Sequence, residues 1–294
     1  MSQVTGNIRS SLIGFGLIFP ALVGFSLFYA WPAIRAIAIS FTDWNLLSEP
    51  TFVGFDNYIE MVQDGQFWNG MKLSAYYVLL NIPLQVVLGL FLAVAMDRLT
   101  RSLFVKATVL LPYLLSNVLV AMVWLWMLDP ILGIVNFFLD AIGIGRQSFL
   151  GDPEQALISV AAINIWRHMG LCAMLFLAGL QTIPRYLYEA ASLEGASEWK
   201  MFRMITLPLL RPVMVFVLVT SVTGSFQIFD TIAVTTMGGP MDSTRVIVYY
   251  IIQNAFSFYK MGYASAMSMT LALVMLIYTL FQMKIMRASE SDLA

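Results

Sequence analysis

The chain has 294 residues, of which 60% are hydrophobic and 11% are charged. Soluble proteins carry about 25% charged residues, so this composition excludes an ordinary soluble domain and indicates that most side chains face lipid or each other. The net charge of −1 gives no reason to expect nucleic-acid binding. A single cysteine, Cys172, excludes an intrachain disulfide, and with only one histidine a His/Cys metal cluster is excluded as well.

Six apolar segments are long enough to cross a bilayer, since a membrane helix needs roughly 20 residues. They lie at about residues 12–34, 73–96, 107–128, 156–180, 213–236 and 264–286. The first has too long an apolar core for a signal peptide and no clear cleavage site follows it, so we expect an uncleaved helix. The segments predict an all-α membrane protein with six transmembrane helices, forming a single domain over residues 1–294.

Basic residues predict the orientation. With the N-terminus inside, ten Lys and Arg lie on the inner side: Arg9, Arg98, Arg101, Lys106, Arg185, Lys200, Arg203, Arg211, Lys284 and Arg287. Five lie on the outer side: Arg35, Lys72, Arg146, Arg245 and Lys260. This excess follows the positive-inside rule, so both termini and the loop at residues 181–212 are expected to be cytoplasmic.

The outer segments are expected to contain short helices at the membrane interface. Residues 51–72 mix aromatic and acidic side chains, residues 129–154 include an amphipathic piece, and Val246–Phe258 reads as an amphipathic helix. Two roles remain open for them. In the first, these helices form a platform for an external partner. In the second, they only anchor the spans.

The inner loop at residues 181–212 is the one long polar segment that reads as helical. Gly195 splits it into two short helices, because a residue without a Cβ can turn the chain where others cannot. Pro208 stops the second helix or opens the span that follows. Such a helix-turn-helix on the inner face suits docking of a soluble partner, and the alternative is a plain amphipathic connector.

The spacing of this loop resembles the signature of bacterial ABC-importer permeases: E-A-A, three residues, G, nine residues, I-x-L-P. Further similarities to the carbohydrate-type permeases, which include maltose, trehalose, lactose and glycerol-3-phosphate importers, lie at Ser40–Trp44, Phe52–Tyr58, Leu111–Tyr113, Leu177–Gln181, Phe229–Asp230, Gly238–Pro240 and Gly262–Ala266. The segment Phe52–Tyr58 favours the first of the two permeases such systems encode. Glu194 departs from the usual Asp but keeps the charge.

The resemblance implies a type I ABC importer permease in the bacterial inner membrane, translocating a carbohydrate by alternating access. Its partners would be a second homologous permease, two ATPase subunits and an external solute-binding protein. The chain has no G-x-x-x-x-G-K-[ST] loop, so ATP and Mg are expected on the ATPase, with no cofactor and no enzyme activity here. The residues expected to couple to the ATPase are Glu189, Ala190, Ala191, Glu194, Gly195, Ala196 and Glu198.

A polar substrate needs polar groups near the midplane of the membrane, where unsatisfied groups are costly. Three spans supply them. Tyr113 and Asn117 are four residues apart and are expected to share a helix face; Asn164, Arg167, His168 and Leu171 form one stripe; Gly224, Ser225, Gln227 and Asp230 straddle the middle of the fifth span. The resemblance places the sugar site of maltose-type permeases at the same positions. Because Arg167, His168 and Leu171 differ there, a different substrate is expected.

Several alternatives stay open. In one interpretation, Arg167 and Asp230 pair with each other across the bundle. In the other, Arg167 donates forked hydrogen bonds to the substrate, either to sugar hydroxyls or to a phosphate. His168 binds substrate or a backbone carbonyl of a neighbouring helix. The substrate is a disaccharide, a polyol or glycerol glycoside, or glycerol-3-phosphate. An ion-coupled secondary transporter would have only Asp230 as a coupling carboxylate and would leave the inner loop unexplained. No catalytic motif supports a membrane enzyme.

Overall fold

A computed structural model describes residues 2–100 and 102–285, with side chains described from residue 14 onward. Arg101, Arg287 and the last residue of the predicted 264–286 span lie outside the described residues, as does the side chain of Arg9. The helices are α1 Ser2–Phe25, α2 Trp31–Ile39, α3 Asp56–Gln63, α4 Gly65–Leu99, α5 Leu103–Leu114, α6 Asn117–Met127, α7 Ile134–Ala141, α8 Ala156–Leu180, α9 Arg185–Leu193, α10 Glu198–Met201, α11 Leu207–Leu209, α12 Arg211–Phe226, α13 Asp230–Thr235, α14 Ile247–Ile252 and α15 Met261–Ile285. Two short antiparallel strands, β1 Thr42–Asp43 and β2 Thr51–Phe52, pair Thr42 with Phe52.

By length and composition, the described residues contain six candidate membrane spans when a bent pair of helices counts as one. In the described residues, helical segments long and apolar enough to cross a bilayer are Gly14–Ile39, Gly65–Leu99, Ala156–Leu180, Arg211–Thr235 and Met261–Ile285. The sixth consists of α5 and α6, which meet at an angle of 93°. The all-α membrane architecture predicted from the sequence is therefore confirmed.

The third span is broken, whereas the sequence predicted a continuous helix over residues 107–128. Leu115 and Ser116 have extended backbones, with ψ of 150° and 148°. The Ser116 hydroxyl accepts a hydrogen bond from the N–H of Leu119 at 3.2 Å and so caps the start of α6. Tyr113 and Asn117 consequently lie on two different helices, and the prediction that they share one helix face is wrong.

The fifth span is interrupted as well. Helix α12 ends at Phe226, and α13 begins only at Asp230. Gly224 and Ser225 precede the break, Gln227 lies within it, and Asp230 opens the next helix. The prediction that these residues straddle the middle of one continuous helix is therefore wrong.

Contacts divide the described chain into two compact units. One contains residues up to 64 together with 251–272. Its centre is Asn57, whose Nδ2 donates to the carbonyl oxygens of Ser40 and Thr42, both at 2.9 Å. The N–H of Met261 donates to the carbonyl of Trp44 at 2.8 Å, which ties the start of α15 to the segment that follows α2.

The second unit contains residues 65–250 and 273 onward and carries the candidate site. Helices α4 and α8 pack along most of their length, which suits the small residues that membrane helices use for close approach. At Gly170 of α8 a side chain would collide with the backbone carbonyl of Val109 in α5. Two of this unit's buried clusters consist of Tyr77, Leu157, Val160, Ala161, Ile228, Ile232 and Val246, and of Ala93, Met96, Cys172, Ala173, Phe176, Leu177 and Val217.

Short helices occupy each predicted outer segment. Helix α3 lies in residues 51–72, α7 in residues 129–154, and α14 continues as a π-helical turn over Gln253–Ser257. In residues 51–72 the second helix, α4, already begins at Gly65, eight residues before the predicted span.

Candidate substrate cavity and coupling segment

A polar cavity of about 300 Å³ lies in the second unit, between α4, α8 and the two broken spans. Nine of the ten residues predicted to bind substrate line it: Tyr113, Asn117, Asn164, His168, Leu171, Gly224, Ser225, Gln227 and Asp230. Arg167 does not. The breaks at Leu115–Ser116 and at Gln227–Phe229 both border this cavity, and non-helical backbone inside a membrane is tolerated where it lines such a space.

Asp230 is held by the opposite broken span. Its Oδ2 accepts a hydrogen bond from Nδ2 of Asn117 at 2.8 Å. Asn117 is the first residue of α6 and Asp230 is the first residue of α13. The carboxylate thus belongs to the first residue of α13 and binds the side-chain amide of the first residue of α6.

Arg167 binds the other end of the break in the third span. Its Nη2 donates to the carbonyl oxygens of Tyr113 and Leu115, at 3.1 and 2.9 Å. Its guanidinium also lies 5.3 Å from the centre of the Tyr113 ring. None of the ion pairs among the described residues joins Arg167 to Asp230, so these two charges do not form the direct pair considered from the sequence.

His168 is fixed by its own helix. Its Nδ1 lies 3.0 Å from the carbonyl oxygen of Asn164, one turn earlier in α8. Its Nε2 lies 2.9 Å from Nη1 of Arg167. A carbonyl only accepts and a guanidinium only donates, so these partners assign a neutral ring with the proton on Nδ1. The carbonyl partner considered from the sequence is present, but it belongs to the same helix and not to a neighbour.

Helix α4 supplies a further wall that the sequence reading missed. Tyr77, Asn81 and Gln85 line the cavity at intervals of four residues. Nδ2 of Asn81 donates to Oγ of Ser225 at 2.8 Å, and Nε2 of Gln85 donates to Oγ of Ser221 at 3.1 Å. A signal was available in the sequence, because three polar side chains at i, i+4 and i+8 in an apolar span form a single stripe.

Two amide oxygens around the cavity have no hydrogen-bond partner. They are Oδ1 of Asn81 and Oδ1 of Asn117, and both atoms are buried. A buried acceptor without a partner costs free energy, typically about 1–3 kcal/mol.

The segment predicted to couple to the ATPase forms two helices joined by a tight turn at Gly195. Gly195 has φ of +78°, the left-handed conformation that favours glycine. The N–H of Ala196 donates to the carbonyl of Ala191 at 2.9 Å, and the N–H of Gly195 donates to that of Ser192 at 3.0 Å. These two bonds form a Schellman motif, which ends α9 as the glycine predicts.

The second helix of this segment begins at Ser197. The Ser197 hydroxyl accepts from the N–H of Lys200 at 3.4 Å and caps α10. The helix continues through a π-helical turn, Phe202–Thr206, and α11 to Leu209. Pro208 lies within α11, one residue before the end of the second piece and three residues before α12 begins, so both roles predicted for it stay open.

The surface of the coupling segment combines exposed charges and exposed apolar side chains. Glu189, Ala190, Glu194, Gly195 and Glu198 are exposed, and Ala191 and Ala196 are half-buried. Leu193 is 91% exposed and Trp199 is 69% exposed. Beside them lies a groove of about 870 Å³ between this segment and the end of α4. Exposed apolar residues rimmed by charges are typical of a protein–protein contact.

One ion pair links the segment to the second span. Nη2 of Arg98, at the end of α4, lies 2.7 Å from Oε2 of Glu198. Both side chains are at least half exposed, so the pair contributes little to stability, typically about 0–1 kcal/mol.

Comparisons with known proteins give matches over most of the chain. Residues 85–288 match the family described as "Binding-protein-dependent transport system inner membrane component". The chain is 32% identical over 290 residues to the probable ABC transporter permease protein YurN of Bacillus subtilis, covering 97% of this chain and 99% of the relative. It is 31% identical over 284 residues to the trehalose/maltose transport system permease protein MalF of Thermococcus litoralis, covering 95% of each. It also superposes with a TM-score of 0.81 on a chain from the crystal structure of a bacterial ABC transporter involved in the import of the acidic polysaccharide alginate, at 26% identity and covering 98% and 99% of the two chains.

Proposed function

Because the chain belongs to the family of inner membrane components of binding-protein-dependent transport systems, we propose that it moves a carbohydrate through the cavity described above. Membership of this family makes the chain a multi-pass transport subunit and not an enzyme. The cargo, the partner subunits and the orientation in the membrane are the parts of the proposal that need argument.

The observation that carries the carbohydrate assignment is the chemistry of the cavity wall. Amides and hydroxyls from four spans face one space, among them Asn81, Asn117, Asn164, Ser221 and Ser225. Sugar hydroxyls each donate and accept hydrogen bonds, which matches a wall of groups that also do both. A relative is named for trehalose and maltose, and a structural neighbour imports alginate.

Glycerol-3-phosphate is the second candidate, and the electrostatics of the site favour it less. Phosphate recognition generally relies on Arg or Lys side chains that donate directly to the phosphate oxygens. The one guanidinium near this cavity, that of Arg167, is turned to backbone carbonyls. The carboxylate of Asp230 lines the cavity. A neutral sugar, disaccharide or polyol therefore suits the site better than an anion.

The proposed assembly contains this chain, a second homologous permease, two ATPase subunits and an external binding protein. We place both termini and the coupling segment at the cytoplasmic side of a bacterial inner membrane, following the distribution of basic residues. ATP and Mg are bound by the ATPase subunits. The exposed face formed by Glu189, Ala190, Glu194, Gly195 and Glu198 is the contact through which their motion enters the membrane.

In the transport cycle, the binding protein delivers sugar to the outer side. Closure of the ATPases on ATP draws the coupling segments together and opens the cavity outward, and hydrolysis returns it to the inward-facing state. The amides and hydroxyls of the cavity replace the hydration of the sugar during passage. Their hydrogen bonds are individually weak, which permits release.

The test is ATP hydrolysis by the complete complex in proteoliposomes with its binding protein. The panel contains trehalose, maltose, sorbitol and glycerol-3-phosphate, with an uncoupler present to remove any proton gradient. Stimulation by a neutral sugar supports the proposal. Stimulation by glycerol-3-phosphate alone would overturn the cargo assignment. Uptake abolished by the uncoupler while ATP is intact would instead identify an ion-coupled secondary transporter.

A further inference from the structure

The break in the third span leaves two helix ends inside the apolar part of the chain. The last carbonyls of α5 and the first N–H groups of α6 lack partners within their own helices. In a membrane each such group must find a partner in the protein or in a cavity. The bend of 93° therefore requires groups from elsewhere in the fold that bind these ends.

Arg167 meets this requirement at the carbonyl end. Its Nη2 donates to the carbonyls of both Tyr113 and Leu115, one on each side of the last residue of α5. A cation is favourable at a helix C-terminus, where the dipole is negative. His168 holds the guanidinium from the other side, through Nε2 and Nη1 at 2.9 Å.

We infer that Arg167 is a positioning residue that fixes the bend of the third span and so presents Tyr113 and Asn117 to the cavity. The inference rests on the proposed function. Arg167 itself is absent from the cavity lining, its Nη atoms are engaged, and its Nε is buried without an acceptor. It acts on the substrate through the two residues that flank the break.

The opposite end of the break supports the same role. Asp230 holds Asn117, the first residue of α6, through the hydrogen bond at 2.8 Å. A positive group thus binds carbonyls at the C-terminal end of α5, and its charge matches the dipole of that end. A negative group binds the side-chain amide of the residue that opens α6. This arrangement accounts for both intramembrane charges without a direct ion pair.

The planar guanidinium suits two carbonyls at once, since its N–H groups form a rigid fork. A lysine places one compact ammonium in the same region and can still donate to these carbonyls. Methionine has a similar length but no donor. Arg167→Lys and Arg167→Met therefore separate the hydrogen-bonding role from the volume of the side chain. Arg35→Met, at an exposed position of α2, is the matched control.

The first readout is the number of sugar molecules taken up per ATP hydrolysed. Loss of the bend removes binding groups from the cavity but leaves the coupling segment and the docking of the binding protein intact. Arg167→Met should retain stimulated ATP hydrolysis while uptake per ATP falls at least tenfold. Arg167→Lys should recover most of this loss, and Arg35→Met should behave as the wild type. General misfolding would lower hydrolysis and uptake together.

The second readout is the bend itself, measured by pulsed electron spin resonance. Spin labels at Phe104→Cys and Trp126→Cys, both at exposed positions, report the distance across the break. At 1.5 Å per residue, α-carbons at these positions are about 23 Å apart with the 93° bend and about 33 Å apart in a straight helix. The buried Cys172 is checked for labelling in a sample without the introduced cysteines.

A longer or broader distance in Arg167→Met, with the short distance restored in Arg167→Lys, supports the inference. An unchanged short distance in Arg167→Met would overturn it, as would unchanged uptake per ATP in that variant. The distance measurement needs neither ATPase nor sugar. A failure of the proposed function would leave wild-type hydrolysis unstimulated by any carbohydrate while the distance still tests the role of Arg167.

Discussion

The turn at Gly195 offers a sharp test of the coupling segment, because within this chain its substitution adds backbone strain without a steric clash. The residue has φ of +78°, and a Cβ placed there would meet no atom within 4 Å. A residue with a side chain pays about 1–2 kcal/mol for this left-handed conformation. The strain acts on the two Schellman hydrogen bonds, from Gly195 to Ser192 and from Ala196 to Ala191.

This strain is small compared with the free energy of unfolding of a whole domain, but it is large enough to shift the equilibrium between the native and the opened turn. Domains are stable by about 5–15 kcal/mol, so a Gly195→Leu variant should still fold and insert. A loss of 1–2 kcal/mol nevertheless changes the ratio of native to opened turn by a factor of about 5–30. The two helices of the coupling segment would then no longer present Glu189 and Glu198 in one fixed arrangement.

Gly195→Asn is the matched control, because asparagine enters the left-handed region more readily than other residues with a side chain. In reconstituted transport, we expect Gly195→Leu to reduce ATP-driven uptake roughly fivefold or more, in line with the shift of the turn, and Gly195→Asn to retain most of it. The amount of inserted protein should be equal in both. Full uptake in Gly195→Leu would refute the reasoning, and so would equal losses in the two variants.

Three further predictions concern packing, charge and pH. Gly170→Ala should lower the melting temperature, because overpacking against the backbone of α5 costs about 1–3 kcal/mol, whereas Gly24→Ala, with nothing within 4 Å of the added Cβ, should not. Glu198→Gln removes an exposed ion pair, so the loss of stability should stay below about 1 kcal/mol and vanish in high salt; a larger loss would show that the pair is more than a surface contact. Backbone N–H groups, that of Leu132 foremost, hold the pKa of Asp129 below its ordinary value, so this turn is fully stabilised above the ordinary pKa and loses that support as the pH falls through the lowered one. Hydrogen exchange of the Leu132 amide should show this acid step in the wild type and no step in Asp129→Asn.

The coupling segment was predictable because its structure is local. Gly195 ends one helix and Ser197 caps the next, and both effects depend on residues within a few positions. The spans were predictable for a similar reason, since length and hydropathy decide whether a helix can cross a bilayer. Their ends were less predictable: α4 starts at Gly65, because its first turns are polar and lie outside the apolar window.

The breaks in the third and fifth spans could not be placed by the same reasoning. Pro112 lies within α5 without ending it, and Ser116 caps α6 only because the chain is already extended there. In an apolar run both residues are compatible with a continuous helix, since prolines occur inside membrane helices. The decisive partner, Arg167, is more than fifty residues away in sequence and reaches the break only through tertiary packing.

The predicted site residues show what spacing can and cannot establish. Polar side chains in apolar spans converge because unsatisfied polar groups in lipid are costly, so nine of the ten predicted positions face one cavity. The tenth, Arg167, shows the limit of that inference. A charged side chain inside a membrane can bind a ligand, an opposite charge or the end of a helix, and the sequence pattern is the same in all three cases. Here the two charges bind opposite ends of one broken span, Arg167 through carbonyls and Asp230 through Asn117. The sequence pattern here is a proline and a serine–asparagine pair inside one apolar span, with opposite charges in two other spans. Such a pattern therefore favours a broken helix whose parts the charges bind over a direct ion pair between the charges.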